Sequence, residues 1–354
     1  MCNIAGYVGE RDAAPILIEM IRAQEGQNGG FYTGIATLHE GKIYYRKLVG
    51  SLDDLLEKTD AASLPGKVGI IHSRTPGFAG DEWSHPFVCE NGGEIISAMV
   101  LNGSTGYFKP LDGKCVCVAE QLIAEGFTMR SRLPADYEDV SVLGKPGAFL
   151  TLGDGTRIHP TDLSCQLTGK YLLAGESAPD ALTHALCELP KEIVGLMLSL
   201  DEPEAISWTR VNQPMHVAFA DHGAYLATAP MAIPEDAGEY SLLPVLCSGL
   251  IKKDGFSARR YEKHVATVAP LSPRVRHEAY ELICRALREK KCKLSDLSKL
   301  VKPIFDSADC VQATPLVYPI LCDLKRCGLL KTERSTRPGV FEGLTAPIDY
   351  MYID

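Results

Sequence analysis

Met1-Cys2-Asn3-Ile4-Ala5-Gly6-Tyr7-Val8-Gly9 opens the chain: an apolar, β-prone run that ends on glycine and places a cysteine directly behind the initiator methionine. Such a run, bounded by Gly9, reads as a first strand. If Met1 is removed, Cys2 carries both a thiol and a free α-amine. An α-amine titrates at about 7.7–8.0 and can take the thiol proton directly or through one water. The competing reading is a small buried thiol at the start of a strand. Position alone favours it, because free cysteine is among the most buried residue types.

Beyond Gly9, Ile16, Leu17, Met20 and Ile21 recur at helical spacing. Residues 34–38 and 42–45 flank His39-Glu40-Gly41 as the arms of a hairpin with a glycine turn. Further strands are expected at 67–72, 94–100, 206–210, 215–220, 224–228 and 242–251, with helices near 113–125 and 179–188. Many strands with occasional helices predict an α+β fold of stacked antiparallel sheets under helical cover, not a repeating βαβ unit.

A chain of 354 residues has room for two domains, and 45% hydrophobic with 23% charged residues is ordinary for a water-soluble protein. Its net charge of −9 argues against a wholly nucleic-acid-binding protein and against an anionic membrane surface. The 12 cysteines include one close pair, Cys115-x-Cys117, without zinc-site spacing, so no metal and no cofactor are expected. The N-terminus lacks the signature of a secretory signal, and no apolar run reaches the roughly 18 residues a membrane span needs. A cytoplasmic protein with free thiols is the expectation.

The charge balance changes near residue 260. From Pro273 to Val340 there are 14 Lys/Arg against 8 Asp/Glu, a net +6 that leaves −15 for the remainder. This asymmetry predicts two domains, 1–260 and 270–354. The second reads as helices at 274–290 and 294–305, a third from Thr314-Pro315 to Gly328, then a strand at 329–334 and a turn at Pro338-Gly339. Three helices and a β-wing suit a winged-helix-like unit.

An acyl-transfer site needs oxyanion donors and a grip on its substrate as well as a nucleophile. Asn102-Gly103 follows a predicted strand, from which the Asn102 amide and the Gly103 N–H could reach an oxyanion; a plain Asn-Gly hairpin turn is the alternative. Arg74, in His72-Ser73-Arg74, also ends a strand and suits a carboxylate through two parallel hydrogen bonds, or is simply a solvated loop charge. The loop carrying Gly77 and Gly80 suits either a mobile cover or a fixed connection.

Taken together, Met-Cys-x-Ile-x-Gly, His-x-Arg at 72–74, His-Pro at 85–86 and Asn-Gly at 102–103 resemble the glutaminase domain of the class II, N-terminal-nucleophile glutamine amidotransferases. The likeness covers residues 2–250 in outline and is specific over the first 105. It implies a four-layer αββα sandwich, with Cys2 as nucleophile, its α-amine as base, and Asn102 and Gly103 as the oxyanion hole. It assigns substrate binding to Arg74, which would take the α-carboxylate of glutamine, together with Thr75 and His85. The family also holds the substrate ammonium on an Asp, for which Asp162 in Pro160-Thr161-Asp162-Leu163 is the best match and Asp136 and Asp139 weaker ones. Asp162 lies late, implying an insertion around 127–159.

The chain departs from the family pattern at several positions. Asn3 replaces a Gly, Thr75 stands where sugar-phosphate enzymes have a channel-gating Trp, Leu101 replaces a His, and residues 24–30 lack an Arg. Trp83 is an alternative gate or a core residue. About 95 C-terminal residues are too few for the synthase domain of such enzymes, so the ammonia released is expected to go to a partner or to solution. For the C-terminal domain, protein contact or homo-oligomerisation ranks above DNA binding, because Pro319 interrupts the helix that would enter a groove. Two other readings stay open: an amidase on another small amide, and a non-catalytic glutamine sensor.

Overall fold

Alternation along the first strand, Asn3–Gly9, sends Ile4 and Val8 to one face and Ala5 and Tyr7 to the other, and each face is buried in a different core. The computed structural model describes residues 2–77, 79–104, 112–138, 141–143, 150–262, 272–307 and 314–354. This strand lies at the centre of a seven-stranded antiparallel sheet in the order 240–242, 216–220, 223–227, 3–9, 68–74, 32–39, 42–49. A second antiparallel sheet runs 255–256, 247–252, 206–210, 192–199, 94–104, 87–91, with 259–260 beside 247–252.

The two sheets face each other across one core. Ile4, Val8 and Ile70 from the first sheet meet Val100, Val194, Leu196 and Trp208 from the second. Gly6 lies on this face, where an added Cβ would come within 2.9 Å of Leu196 Cδ1, so a side chain there would force the sheets apart. Outside the first sheet, Leu17, Met20 and Ile21 of the helix Ala13–Arg22 cover Ala5, Tyr7 and Ile71. Outside the second, helices Pro160–Leu173 and Ala178–Glu188 cover Phe87, Met99 and Leu101. The layers therefore run helix, sheet, sheet, helix, as expected from the sequence.

Sequence and structure differ at several places. The expected strand 242–251 is two strands, Tyr240–Leu242 in the first sheet and Cys247–Lys252 in the second. Pro244 lies in the crossing between them, where it cannot donate to a ladder. The strand Glu192–Ser199 and the helices Leu52–Lys58 and Pro160–Leu173 were not anticipated. Asp139, with residues 140 and 144–149 of the implied insertion, lies outside the described residues.

The C-terminal segment comprises helices Pro273–Glu289, Leu294–Ser307 and Thr314–Arg326, then an antiparallel hairpin of Lys331–Pro338 with Thr345–Tyr352. Ile283, Leu297, Val301, Val317 and Leu321 form its core, which is continuous with Ala229, just beyond the interior strand Gly223–Ala227. Val340 and Ala346 pack with Phe31, Tyr32 and Trp83 beside the strands that carry the candidate site.

Candidate active site

At one end of the inter-sheet core the side chains change from apolar to polar on three strands at once. Ile4 is followed two residues back by Cys2, Ile70 two and four residues on by His72 and Arg74, and Val100 by Asn102. Period-two geometry keeps each on the face of its apolar neighbour, and the register sets Ile4 opposite His72 and Asn102 opposite Val194. The expected residues Cys2, Arg74 and Asn102 are thereby brought together between the sheets.

Asn102 holds the backbone of Cys2 at both ends. Its Oδ1 accepts from Cys2 N at 3.0 Å, and its Nδ2 donates to Cys2 O at 2.8 Å. The second Nδ2 hydrogen remains for another acceptor. Asn102-Gly103 lies inside the strand Glu94–Ser104, so the hairpin-turn alternative is closed. Gly103 has φ +135°, a conformation that side-chain-bearing residues seldom adopt.

Half-buried Cys2 has its Sγ 3.5 Å from Thr75 Oγ1. Burial raises the thiol's pKa, but His72, the charge of the chain's amino terminus and the Thr75 backbone N–H together outweigh it and bring it to about 6. The anion is thus the prevailing form at neutral pH. His72 is fully buried, its ring stacks on His85 at 3.9 Å between centroids, and neither ring nitrogen has a partner of ordinary hydrogen-bond geometry.

Arg74 donates from Nη1 to Trp83 O at 2.8 Å and lies over the Tyr32 ring at 4.9 Å. It forms no ion pair with a carboxylate among the described residues. Desolvation lowers its pKa, and an incoming carboxylate would supply the missing counter-charge. Trp83 is a core residue: it is fully buried, with Nε1 donating to Ser131 O at 2.7 Å.

Two of the expected substrate ligands are used within the protein. His85 Nε2 lies 3.2 Å from Thr161 Oγ1, and burial keeps its imidazole well below the usual histidine pKa, so it supports the His72 ring from behind. Asp162 is fully buried at the third position of Pro160–Leu173, accepting from Ser131 N at 2.8 Å, Ser131 Oγ at 2.7 Å and Gln166 Nε2 at 3.0 Å. These bonds tie helix to loop, and none reaches Cys2. Burial raises the Asp162 pKa against the pull of the same bonds.

Behind the nucleophile strand, Asn3 Nδ2 donates to Gln24 O at 2.9 Å. Glu25 accepts from Leu52 N at 2.8 Å and Ser73 Oγ at 3.0 Å. Burial pushes the Glu25 carboxyl to about 7 against those bonds and Arg334. Glu25 and His72 lie within the quoted motif segments without having been singled out. The sequence signal for His72 was its place two residues before Arg74 on one strand face. A separate cavity of about 390 Å³ lies among the outer helices, lined by Lys114, Tyr171, His184 and Glu188. Among the described residues no group of His, Cys, Asp and Glu converges as a metal site, and no helix is long and apolar enough to cross a membrane.

The fold and the comparisons with known proteins fit the glutaminase domain of class II amidotransferases. The chain is 28% identical over 269 residues to glutamine–fructose-6-phosphate aminotransferase (isomerizing) of Pyrococcus horikoshii, covering 73% of this chain and 38% of that one. It is 31% identical over 219 residues to the enzyme of the same name from Caldanaerobacter subterraneus, covering 59% and 33%. The chain therefore spans little more than a third of the length of these curated relatives. Glutamine phosphoribosylpyrophosphate amidotransferase from B. subtilis has a similar fold, with a TM-score of 0.55 at 14% identity, covering 80% of this chain and 58% of that one. No protein-family model matches. These similarities fit a class II glutaminase domain within this chain.

Proposed function

We propose that this domain hydrolyses the side-chain amide of free glutamine through a thioester on Cys2 and passes the ammonia to a separate acceptor protein. The observation that carries the reading is the meeting of an acidified thiol, a spare Asn102 N–H and an Arg74 without a carboxylate partner at one end of the inter-sheet core. The thiolate attacks the amide carbonyl, and the second Nδ2 hydrogen of Asn102, with the Gly103 N–H, receives the oxyanion. Arg74 holds the α-carboxylate and sets the reach from Cys2 to the side-chain amide. As the C–N bond breaks, the amide nitrogen takes a proton from the Cys2 α-ammonium and leaves as ammonia; water then attacks the thioester carbon, gives a proton back to the amine, and the C–S bond breaks to release glutamate.

Incubated with glutamine, the protein with Met1 removed is expected to release glutamate. An electrophilic glutamine analogue should add one adduct to its intact mass, and both responses should vanish in Cys2→Ala. No glutamate release, alone or with candidate acceptors, would refute the proposal.

Residues 1–260 and 270–354 are proposed as two domains, the second winged-helix-like in its order of three helices and a hairpin. Pro319 interrupts its third helix, which supports a docking role over entry into a DNA groove. A protein partner, a second copy of the chain included, is the proposed kind of contact. Cys2, Cys89, Cys115 and Cys165 are free thiols, which supports a cytoplasmic setting.

A further inference from the structure

We propose that the tip of the C-terminal hairpin sets the position of Arg74, so that Val340 and Ala346 complete the carboxylate-binding half of the site. This rests on the glutaminase reading for the identity of that carboxylate. A hairpin tip ordinarily lies in water and is built of turn residues. Here the strand Lys331–Pro338 is largely exposed, yet the tip that follows it carries Val340, Phe341 and Leu344, and Val340 is fully buried. The tip is closed by Gly339 N donating to Leu344 O at 2.8 Å.

What Val340 and Ala346 are buried with is the support of Arg74. Both belong to one apolar cluster with Phe31, Tyr32, Ala79 and Trp83. Tyr32 lies opposite Arg74 in adjacent antiparallel strands, and its ring carries the guanidinium at 4.9 Å. Trp83 O accepts from Arg74 Nη1 at 2.8 Å, and Ala79 O accepts from Tyr32 Oη at 2.8 Å. Phe31 N donates to Arg74 O at 3.2 Å. The groups that fix the guanidinium and its backbone therefore share their packing with the hairpin tip. Further along, the hairpin is anchored to the same segment: Arg337 Nη2 donates to Gly29 O at 3.3 Å, and its guanidinium lies over the Phe31 ring at 4.5 Å.

Close packing turns this sharing into control of position. Protein interiors hold few voids, so removing two methyl groups from Val340 leaves space into which Tyr32 and Trp83 relax. A guanidinium that takes a carboxylate through two parallel hydrogen bonds tolerates little displacement, and a shift of about 1 Å is enough to weaken such a clamp severely. Cys2 and Asn102 lie outside the cluster and are held to each other by hydrogen bonds. The hairpin thus acts on substrate binding more than on bond breaking, and Val340 and Ala346 are positioning residues.

The first test is steady-state glutamate release by the full chain with Met1 removed. Val340→Ala is expected to raise KM for glutamine about tenfold, with kcat changed less than about twofold. On an Arg74→Lys background the same substitution should add less than about twofold, because both act on one contact. An unchanged KM overturns the proposal, as do effects that multiply in full. Leu344→Ala, in the same cluster, repeats the test if Val340→Ala does not fold. The second test needs no glutamine. Phenylglyoxal labelling, mapped by peptide mass spectrometry, should modify Arg74 several-fold faster in Val340→Ala than in the wild type, with exposed Arg259 on the second sheet unchanged as the reference. Equal rates at Arg74 overturn the proposal. Faster labelling of Arg74 with no glutamate release from any form removes the glutaminase reading alone.

Discussion

At the scale of single residues, the site depends on groups whose charge state is set by burial. Arg74 meets the carbonyl of Trp83 and the face of Tyr32, leaving its remaining N–H groups for a carboxylate. Lysine keeps the charge but loses the two-pronged geometry. Arg74→Lys is therefore expected to raise KM for glutamine by about tenfold to a hundredfold with a smaller change in kcat, the cost of a lost charge-assisted hydrogen bond. A steady-state assay of glutamate release checks this, and an unchanged KM would place the substrate carboxylate elsewhere. Glu25 acts on stability. Its folded pKa of about 7 lies above the ordinary 4.5, so its stabilising contribution is full below pH 4.5 and is lost as pH rises through 7. Glu25→Gln keeps the acceptor for Leu52 N and Ser73 Oγ and has no charge to bury. Denaturant titrations should show the wild type losing on the order of 3 kcal/mol relative to the variant across that window. Equal pH profiles would show that Glu25 is ionised when folded.

Among the elements, the helix Pro160–Leu173 shows how a motif residue can be read in two ways. Asp162 opens it and binds Ser131 and Gln166, fixing the loop whose carbonyl receives Trp83, which in turn carries Arg74. Asp162→Ala leaves the buried Ser131 N–H without its partner and is expected to cost about 2–4 kcal/mol of stability, measured by denaturant unfolding. A rise in KM with unchanged stability would instead restore Asp162 as the substrate-ammonium ligand. The three site strands were legible because each carries its polar residue in phase with buried neighbours: Cys2 with Ile4, Arg74 with Ile70, Asn102 with Val100. The helix bearing Asp162 was hidden because its buried face mixes Thr161, Gln166 and Thr168 with Leu163 and Leu167, giving no clean apolar period. Glu192–Ser199 was hidden for a different reason, since a short continuous apolar run reads equally as strand or buried helix.

Across the whole molecule, the net +6 of residues 273–340 finds part of its use inside the chain. Arg334 pairs with Asp349 and donates to Arg22 O at 3.0 Å, Arg337 donates to Gly29 O at 3.3 Å and covers the Phe31 ring, and Arg326 donates to Gly238 O at 3.2 Å. The charge asymmetry in the sequence thus also marks a seam, where cations of the C-terminal segment meet carbonyls of the residues before it. Its hairpin lies against residues 25–31, and an added Cβ on Gly26 would come within 2.3 Å of Asp349 Oδ1, so the two surfaces are in close contact. Those residues are joined to the nucleophile strand's neighbour through Ser73, whose Oγ accepts from Gly30 N at 2.8 Å. Loosening the seam should therefore be felt at the site. Arg337→Ala removes one hydrogen bond and one cation–π contact, about 1–2 kcal/mol together, which for a domain of this size lowers Tm by about 2–4 °C per kcal/mol. Calorimetry should show that fall together with a rise in KM for glutamine, because the 25–31 segment loses its cover. A Tm and KM both equal to wild type would mean that the C-terminal unit rests on the glutaminase domain without shaping it.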